Sequence, residues 1–275
     1  MMERCDVNKL SVLFLFFFFI LSSYGQDKQG TKGLDLFLLM GQSNMAGYGE
    51  LLPGDDKEIE GVYVLREDSN KAATYFWEKA SQPIHKRLSS DRFCLAGPFA
   101  KVYKELYPQS QVGLIPMGWG GAPIARMTKG TEFYKEVLNK ALWAKKHGLL
   151  KAILWHQGES DTVSPKTVAV YEAKLKQLIK DLRTDLGCSN LPFIIGNLAE
   201  FYGTGKDHNT TERVKQINQI KEILRKVARE TPNVGFVEST GLKSIDHHQV
   251  HFDRNSYVIL GNRYADVYWN LVSNI

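Results

Sequence analysis

Cysteine is scarce in this chain, and the features that mark disulfide-rich, membrane-spanning or multidomain proteins are missing. Three cysteines occur in 275 residues, too few for a disulfide scaffold. No internal repeat, low-complexity linker or second-domain boundary interrupts the sequence, and no apolar run reaches the ~20 residues of a transmembrane helix. Because 43% of the residues are hydrophobic, the chain can bury a substantial core as one domain.

The positive charge does not indicate a nucleic-acid partner. The net charge of +5 comes from lysines and arginines scattered along helical stretches, which is typical of solvated helix faces. Aromatic residues are not interleaved with them, and no known nucleic-acid-binding motif occurs. We therefore expect no nucleic acid among the partners.

The N-terminus has the pattern of a signal peptide. Basic residues precede an apolar run over residues 10–21, which suits a signal-peptide core but is too short to span a bilayer. The small residues Ser23 and Gly25 then fit the positions before a cleavage site. We predict a signal peptide over residues 1–25 with cleavage near Gly25, an exported (periplasmic or extracellular) protein, and a domain over residues 26–275. An uncleaved anchor is the alternative, although we expect no stable membrane anchor.

Export would place two of the cysteines in an oxidising compartment. Cys5 would leave with the signal peptide, and Cys94 and Cys188 would remain. A disulfide between them and two separate buried thiols are both compatible with the sequence, because spacing alone does not show whether the two residues are close.

Strand-length apolar runs alternate with helical patterns along the chain. Five such runs occur: residues 34–40, 112–117, 152–156, 193–197 and 234–237. Between them, apolar residues recur at spacings of three and four, as in the stretch from Ser164 to Gly187. The alternation predicts an α/β fold with a central parallel five-stranded sheet and helices on both faces. We expect segments 51–71 and 81–95 to be loops that shape the ligand pocket.

Polar clusters follow the predicted strands at the point where each strand ends. Ser43 comes after the first strand. Gly120 and Gly121 follow the second, and Gln157 follows the third. Because ligands of parallel α/β sheets bind outside the carboxyl ends of the strands, the sequence predicts a ligand site at this edge.

Ser43 is a candidate nucleophile. It follows a buried strand in a glycine-flanked turn, residues 41–47 (GQSNMAG), and such a turn can hold a hydroxyl at the end of a rigid element. The alternative is a serine that caps an ordinary helix. A nucleophilic serine needs a base and an orienting acceptor. Three of the seven histidines fall within residues 246–253, so this segment supplies candidates for both, unless it is a solvated loop.

An ester hydrolase also needs hydrogen-bond donors for the oxyanion that forms during attack. Gly120 and Gly121 can present backbone N–H groups without an intervening side chain. Gln157, at a strand tip, offers a carboxamide N–H₂ group. Such a glutamine is also a common hydrogen-bonding residue of loops, but here it shares the predicted site edge with Ser43.

Four motifs occur in this order: residues 41–47 (GQSNMAG), 120–124 (GGAPI), 155–161 (WHQGESD) and 250–253 (VHFD). Together they resemble the sialate O-acetylesterase and acetylxylan esterase group of carbohydrate esterases (carbohydrate esterase family 6-like), within the SGNH hydrolases. The resemblance runs from about residue 34 to the last predicted helix. It implies a three-layer α/β/α, flavodoxin-like fold and removal of O-acetyl groups from an acetylated carbohydrate, with no metal or other cofactor.

The resemblance also implies roles for individual residues. Ser43 matches the nucleophile, and His251 matches the general base. The N–H of Ser43, an N–H from Gly120 or Gly121, and the side chain of Gln157 match the oxyanion hole. The implied reaction is acyl transfer in two steps through an acetyl ester on Ser43.

Side chains near the predicted site are candidates for substrate contact. We expect Trp119, Gln42 and Glu159 to bind the acetylated sugar. The rings of Trp119, Tyr48 and Trp155 can stack on a sugar, although each is more often a packing residue.

One position departs from the family pattern. Relatives usually place the aspartate that orients the histidine three residues before it, and here that position is His248. Asp246 is the nearest upstream carboxylate and is the candidate orienting residue. His248 and a backbone carbonyl are the alternatives. Pairing with Asp246 would raise the pKa of His251, because each charge favours the other.

Two other classes of function are compatible with the sequence. His247, His251 and Asp253 are side chains that ligate metals, so a metal-dependent hydrolase is one alternative. It does not account for the motif over residues 41–47. The other is a non-catalytic glycan-binding protein on the same fold. The identity of the acetylated glycan and the oligomeric state do not follow from the sequence.

Overall fold

The computed structural model describes residues 33–71, 73–86 and 92–273. The predicted signal peptide over residues 1–25 lies outside the described residues. The strands are β1 (Leu34–Gly41), β2 (Val62–Glu67), β3 (Tyr75–Lys79), β4 (Val112–Gly118), β5 (Gly148–His156), β6 (Phe193–Gly196) and β7 (Val234–Val237). The α-helices are α1 (Ser43–Ala46), α2 (Ala96–Leu106), α3 (Glu132–Ala144), α4 (Pro165–Asp185), α5 (Thr211–Glu230) and α6 (Arg254–Ser273), and short 3₁₀ helices cover Ile124–Arg126 and Glu159–Val163.

The described strands form a seven-stranded sheet in the order β3-β2-β4-β1-β5-β6-β7. Neighbouring strands are parallel except β2 and β3, which are antiparallel. The five predicted strands are confirmed as β1, β4, β5, β6 and β7, and the α/β fold class is confirmed with them. The predicted number of strands is wrong, because the β2–β3 hairpin extends the sheet beyond β4.

The hairpin replaces part of a predicted loop, since β2 lies within segment 51–71. Val62 and Val64 are buried and pair with β4, whereas Tyr75 is the one buried residue of β3. Short, half-exposed edge strands have a weak sequence pattern, and their formation depends on the strand beside them. The neighbouring β4, distant in sequence, therefore decides that this segment becomes a strand.

Helix α4 begins and ends where the signals at Ser164 and Gly187 predict. The hydroxyl of Ser164 accepts a hydrogen bond from the N–H of Thr167 at 3.2 Å, and the hydroxyl of Thr167 accepts one from the N–H of Ser164 at 3.2 Å. This reciprocal capping box satisfies two donors at the start of α4. Gly187, with a φ of +64°, follows its end. In the part of the chain that the structure describes, no helix combines the length and apolar character needed to cross a membrane.

Helices cover both faces of the sheet. Phe37 in β1 packs on Phe99 and Tyr103 of α2 and on Tyr268 of α6, with ring centroids 4.8, 4.8 and 5.5 Å apart. These two helices cover one face, and α3, α4 and α5 pack over the other. Residues 36–40 of β1 are 0% exposed, so the central strand is buried on both sides. The result is the expected three-layer α/β/α arrangement.

The cysteines of the described chain are free thiols. Cys94 is buried against Gly47, next to the turn that follows β1. Cys188 is partly buried just beyond the end of α4. The sequence allows either a disulfide between Cys94 and Cys188 or two separate thiols, and the structure has two separate thiols.

Strand β1 lies between β4 and β5, so the carboxyl ends of these three strands are adjacent. Ser43 follows β1, Trp119 follows β4 and Gln157 follows β5. At this edge β1 and β5 approach so closely that a side chain at Gly41 would collide with the carbonyl oxygen of His156. The sheet therefore brings three of the four sequence motifs to one place.

Candidate active site

Ser43 is the first residue of α1, directly beyond β1. The N–H of the preceding Gln42 donates to the carbonyl oxygen of His156 at 3.0 Å, which fastens the turn to the end of β5. Ser43 is 5% exposed. Its own N–H is at the start of a helix, where no intrahelical acceptor is available.

His251 lies within hydrogen-bond distance of Ser43. Nε2 of its ring is 3.0 Å from Ser43 Oγ, although the two residues are 208 positions apart in the chain. For Nε2 to accept the hydroxyl proton, the proton of the neutral ring must be on Nδ1. The side chain of His251 is 19% exposed, so the contact is largely shielded from solvent.

The ring of Tyr48 covers one face of His251. The two rings are parallel within 5°, and their centroids are 3.8 Å apart. The guanidinium of Arg92 lies 5.5 Å from the centroid of the Tyr48 ring. Tyr48 is thus a packing partner of the histidine, which does not fit stacking on a sugar. Trp155 is 0% exposed, and its burial does not fit that interaction either.

Burial lowers the pKa of His251. The carboxylate of Asp246 acts in the opposite direction, whereas the positive charge of Arg92 lowers the pKa further. The predicted increase in the pKa of His251 is therefore wrong, because desolvation of the imidazolium outweighs its attraction to Asp246. A lowered pKa keeps the imidazole neutral, and only neutral imidazole can accept the serine proton.

Asp246 is close to His251 but does not hydrogen-bond to it. Oδ2 of Asp246 is 3.9 Å from Nδ1 of His251, longer than a hydrogen bond. Its Oδ1 accepts from the N–H of His248 at 3.0 Å. The ring of His248 instead contacts Asp207, with Nδ1 2.7 Å from Oδ2, and is therefore engaged away from His251. Of the two side chains considered for the orienting position, Asp246 is the one that approaches Nδ1.

Gln157 is completely buried at the end of β5. Its Nε2 donates to Oδ2 of Asp161 at 2.6 Å, and it lies 3.2 Å from the carbonyl oxygen of Ala122 and from Oε1 of Gln42. The hydroxyl of Tyr171 donates to its Oε1 at 2.9 Å. The orientation of the carboxamide is therefore well defined, and both of its N–H groups already have acceptors.

Asp161 links two of the sequence motifs. Besides the bond from Gln157, its Oδ2 accepts a hydrogen bond from the N–H of Ile124 at 2.9 Å. Burial raises the pKa of this carboxyl group, and the two hydrogen bonds oppose the increase. The segment over residues 120–124 is thereby held against the end of β5.

The turn at Gly120 and Gly121 lies beside the Ser43 turn. The N–H of Trp119 donates to the carbonyl oxygen of Gly41 at 2.8 Å, so the glycines directly follow a residue anchored to the end of β1. Gly121 has a φ of +68°, and among the described residues no atom lies within 4 Å of the position that its Cβ would take. The backbone here is open to an approaching ligand.

The three predicted substrate contacts lie in different environments. Trp119 is half-buried and stacks on Phe133, with ring centroids 5.4 Å apart, and the guanidinium of Arg126 lies 5.7 Å from its ring. Gln42 and Glu159 are each 3% exposed. Oε1 of Gln42 lies 3.2 Å from Nε2 of Gln157, and Oε1 of Glu159 accepts from Nδ2 of Asn44 at 2.6 Å, so both side chains contact other residues of the site.

The histidines and carboxylates of residues 246–253 do not form a metal cluster. Asp253 accepts a hydrogen bond from the N–H of Ser256 at 2.7 Å at the start of α6. His247 is exposed, and its ring packs on that of His248 with centroids 4.0 Å apart. Across the residues that are described, no group of three or more His, Cys, Asp or Glu side chains is arranged to hold a metal ion.

Three buried side chains of the site do not stand out in the sequence: Asn44, Asp161 and Tyr171. Asn44 and Tyr171 are 0% exposed, and Asp161 is 2% exposed. Asn44 and Asp161 stand inside the sequence motifs, which is the signal that could have found them. Tyr171 belongs to the apolar stripe of α4 and cannot be told from an ordinary core residue in the sequence.

The layered fold, with its polar residues at the carboxyl edge of the central strands, is that of the SGNH-type hydrolases. The chain belongs to the carbohydrate esterase family of sialic acid-specific acetylesterases, whose family model matches residues 33–270. It is accordingly a carboxylic ester hydrolase of the carbohydrate acetylesterase class. The implied family resemblance is confirmed.

Individual proteins are similar to this chain in sequence or in fold. A probable carbohydrate esterase of Arabidopsis thaliana is 28% identical over 253 residues, which cover 85% of this chain and 89% of that protein. A crystal structure of an Arabidopsis thaliana protein is similar with a TM-score of 0.71 and 26% identity, covering 87% of this chain and 99% of the other. A carbohydrate acetylesterase from Xanthomonas citri shares the fold, with a TM-score of 0.63, 16% identity, and coverage of 88% of this chain and 57% of the other. So does a variant of Axe2, an acetyl-xylooligosaccharide esterase from Geobacillus, with a TM-score of 0.51, 14% identity, and coverage of 86% and 95%.

Proposed function

We propose that the chain is a serine esterase that removes O-acetyl groups from a carbohydrate through an acyl-enzyme on Ser43. The observation that carries this proposal is the 3.0 Å contact between Ser43 Oγ and Nε2 of His251. Family membership supplies the class of reaction, and this contact supplies a nucleophile with a base in reach.

The proposed reaction has two steps. Nε2 of His251 takes the hydroxyl proton of Ser43 while Oγ attacks the carbonyl carbon of the acetyl ester. The tetrahedral intermediate collapses, the bond to the sugar oxygen breaks, and the imidazolium gives its proton to that oxygen. Water then attacks the acetyl-serine with His251 again as base, which releases acetate and restores the hydroxyl.

The oxyanion formed in both attacks needs hydrogen-bond donors. We assign the N–H of Ser43, which has no intrahelical acceptor, and an N–H from the open turn at Gly120 and Gly121. Gln157 is the third donor of the proposal. Since its N–H groups already have acceptors, it contributes by exchanging one of them for the oxyanion, while its short bond to Asp161 keeps the carboxamide in place.

Asp246 acts on His251 through its charge in this proposal. At 3.9 Å from Nδ1, the carboxylate favours the imidazolium that forms in each step, and it raises the pKa of His251 against the effect of burial. An opposite charge at this distance stabilises the protonated base without a hydrogen bond.

The substrate is an acetylated sugar that contacts Trp119, whose half-buried ring stands directly after β4. The family description names sialic acid, and the Geobacillus relative acts on acetyl-xylooligosaccharides. Acetate release from a panel of acetylated sialic acids, xylo-oligosaccharides and other acetylated glycans identifies the preferred class.

The nucleophile is tested with Ser43→Ala. We expect acetate release to fall by about 10⁴-fold or more, because the variant cannot form the acyl-enzyme. Ser69→Ala, a serine in the exposed turn between β2 and β3, is the matched control and should retain wild-type activity. Near-wild-type turnover in folded Ser43→Ala would contradict the proposal.

We also propose that the protein is exported, on the basis of the signal-peptide pattern over residues 1–25. N-terminal sequencing of protein recovered outside the producing cells should then begin at Gln26. Recovery of a chain that keeps residues 1–25 in a membrane fraction would instead support the uncleaved anchor.

A further inference from the structure

The side chain of Asn44 is completely buried, and all of its hydrogen-bonding positions are used. Nδ2 donates to Oε1 of Glu159 at 2.6 Å and to the carbonyl oxygen of Val250 at 3.1 Å. Oδ1 accepts from the hydroxyl of Tyr257 at 2.9 Å and, at the longer distance of 3.5 Å, from the N–H of Phe252. An amide whose two N–H groups and carbonyl oxygen all have hydrogen-bond partners has one well-defined orientation.

Two of these partners, Val250 and Phe252, are the residues on either side of His251. Asn44 is itself the residue after Ser43. One buried side chain therefore connects the backbone of the serine to the backbone on both sides of the histidine, across 206 and 208 positions of the chain.

The ring of His251 has little else to fix Nε2 in place. Tyr48 stacks on one face of the ring, which allows sliding in the plane of the ring. The carboxylate of Asp246 is 3.9 Å from Nδ1, too far for a hydrogen bond that would set the ring's position. The distance from Nε2 to Ser43 therefore depends on where the backbone at residue 251 is held. The carbonyl oxygen of His251 accepts from the N–H of Ile245 at 3.0 Å and from the hydroxyl of Ser244 at 3.1 Å, and Asn44 links this segment to the serine.

Glu159 holds the other side of Asn44. Its side chain is 3% exposed, and its backbone carbonyl accepts from the hydroxyls of Thr162 at 2.8 Å and Tyr202 at 3.2 Å. Oε2 has no hydrogen-bond partner among the residues described. Burying a carboxyl group with one oxygen unpartnered is unfavourable, and leucine would fill similar space without that cost. Packing alone therefore does not explain a glutamate here.

We propose that Asn44 is a positioning residue that sets the distance between Ser43 Oγ and His251 Nε2, and that Glu159 fixes Asn44 for this purpose. The inference rests on the proposed function, because it matters only if Ser43 and His251 react as nucleophile and base. A misplacement of about 1 Å between reacting groups costs on the order of 100-fold in rate.

The test is the rate at which a serine-reactive fluorophosphonate labels Ser43, with kcat and KM for a small acetyl ester. We expect Asn44→Ala to slow labelling and lower kcat by about 100-fold, with KM within about threefold of wild type. Glu159→Leu should lose about tenfold in both rates, whereas Glu159→Gln, which keeps an oxygen for Asn44, should stay within about threefold of wild type. Tyr264→Phe removes another buried hydroxyl, bonded to the Trp155 carbonyl at 2.7 Å, and should label at the wild-type rate.

The positioning role would be overturned if Asn44→Ala is labelled at the wild-type rate, or if Glu159→Leu and Glu159→Gln are labelled at equal rates. It would also be overturned if Asn44→Ala raises KM and leaves kcat unchanged. If Asn44→Ala does not fold, Tyr257→Phe tests the same network by removing one hydroxyl. Slower labelling than in Tyr264→Phe supports the inference, and an equal rate overturns it. Failure of the proposed function gives a different result, because Ser43 would then not be labelled even in the wild-type enzyme.

Discussion

Replacing Glu159 with glutamine should make the stability of this protein less dependent on pH. The side chain is 3% exposed, and burial raises the pKa of its carboxyl group from 4.5 to about 7. The hydrogen bond from Asn44 opposes the increase, and the nearby Asp161 adds to it. Glutamine keeps an oxygen for Asn44 but has no proton to lose, so the comparison isolates the ionisation of Glu159.

Whether the free energy of unfolding rises or falls with pH depends on the direction of the pKa change. An acid whose pKa is higher in the folded than in the unfolded protein holds its proton more tightly when folded. The free energy of unfolding therefore falls as pH rises from 4.5 to about 7, and the loss is complete above that range. Since a tenfold change in proton affinity corresponds to about 1.4 kcal/mol, wild type should lose about 3 kcal/mol at this position.

Urea unfolding of both proteins between about pH 4 and pH 8 measures this loss. The difference in the free energy of unfolding, wild type minus Glu159→Gln, should fall by about 3 kcal/mol across the range. Glu50→Gln is the control, because that side chain is exposed in a loop, and its difference from wild type should change much less across the range. A constant difference for Glu159→Gln as well would refute the reasoning, because the buried carboxyl group would then ionise as easily as one in water.

Three further predictions concern the reaction itself. Gln157→Ala should lower kcat by about 10²- to 10³-fold with little change in KM, as loss of an oxyanion donor does; a rise in KM alone would make Gln157 a binding residue. Asp246→Asn should lower kcat by about 10- to 100-fold, which is less than the ~10⁴-fold loss known for a hydrogen-bonded triad aspartate. His248→Ala should have little effect on kcat. A large loss in His248→Ala with a small one in Asp246→Asn would assign the orienting role to His248, and two small losses would leave a Ser43–His251 dyad. Arg92 lowers the pKa of His251. Arg92→Gln should therefore move the acidic limb of the kcat/KM profile to higher pH. If the limb does not move, the charge of Arg92 does not affect the pKa of His251.

Much of the candidate site was predictable from the sequence, because its residues stand in short motifs at strand ends. Ser43 follows β1 and Gln157 follows β5, as the apolar runs before them indicate. The contact of His251 with Ser43 is also the one that the family resemblance implies. The surroundings of these residues were less predictable. The stacking of Tyr48 on His251 and the burial of Glu159 depend on side chains that meet across the fold, and no local pattern encodes them.

The sequence by itself determined the α/β class, five strands of the sheet and the bounds of α4, since periodicity, capping at Ser164 and the glycine after α4 act within a few residues. Only the tertiary structure decided that β2 and β3 extend the sheet, because an edge strand forms through the hydrogen bonds of its neighbour. It also decided that Asp246 stays 3.9 Å from His251 and that burial sets the direction of the histidine pKa. Distances and desolvation are properties of packed groups far apart in the chain, and spacing in the sequence carries no measure of either.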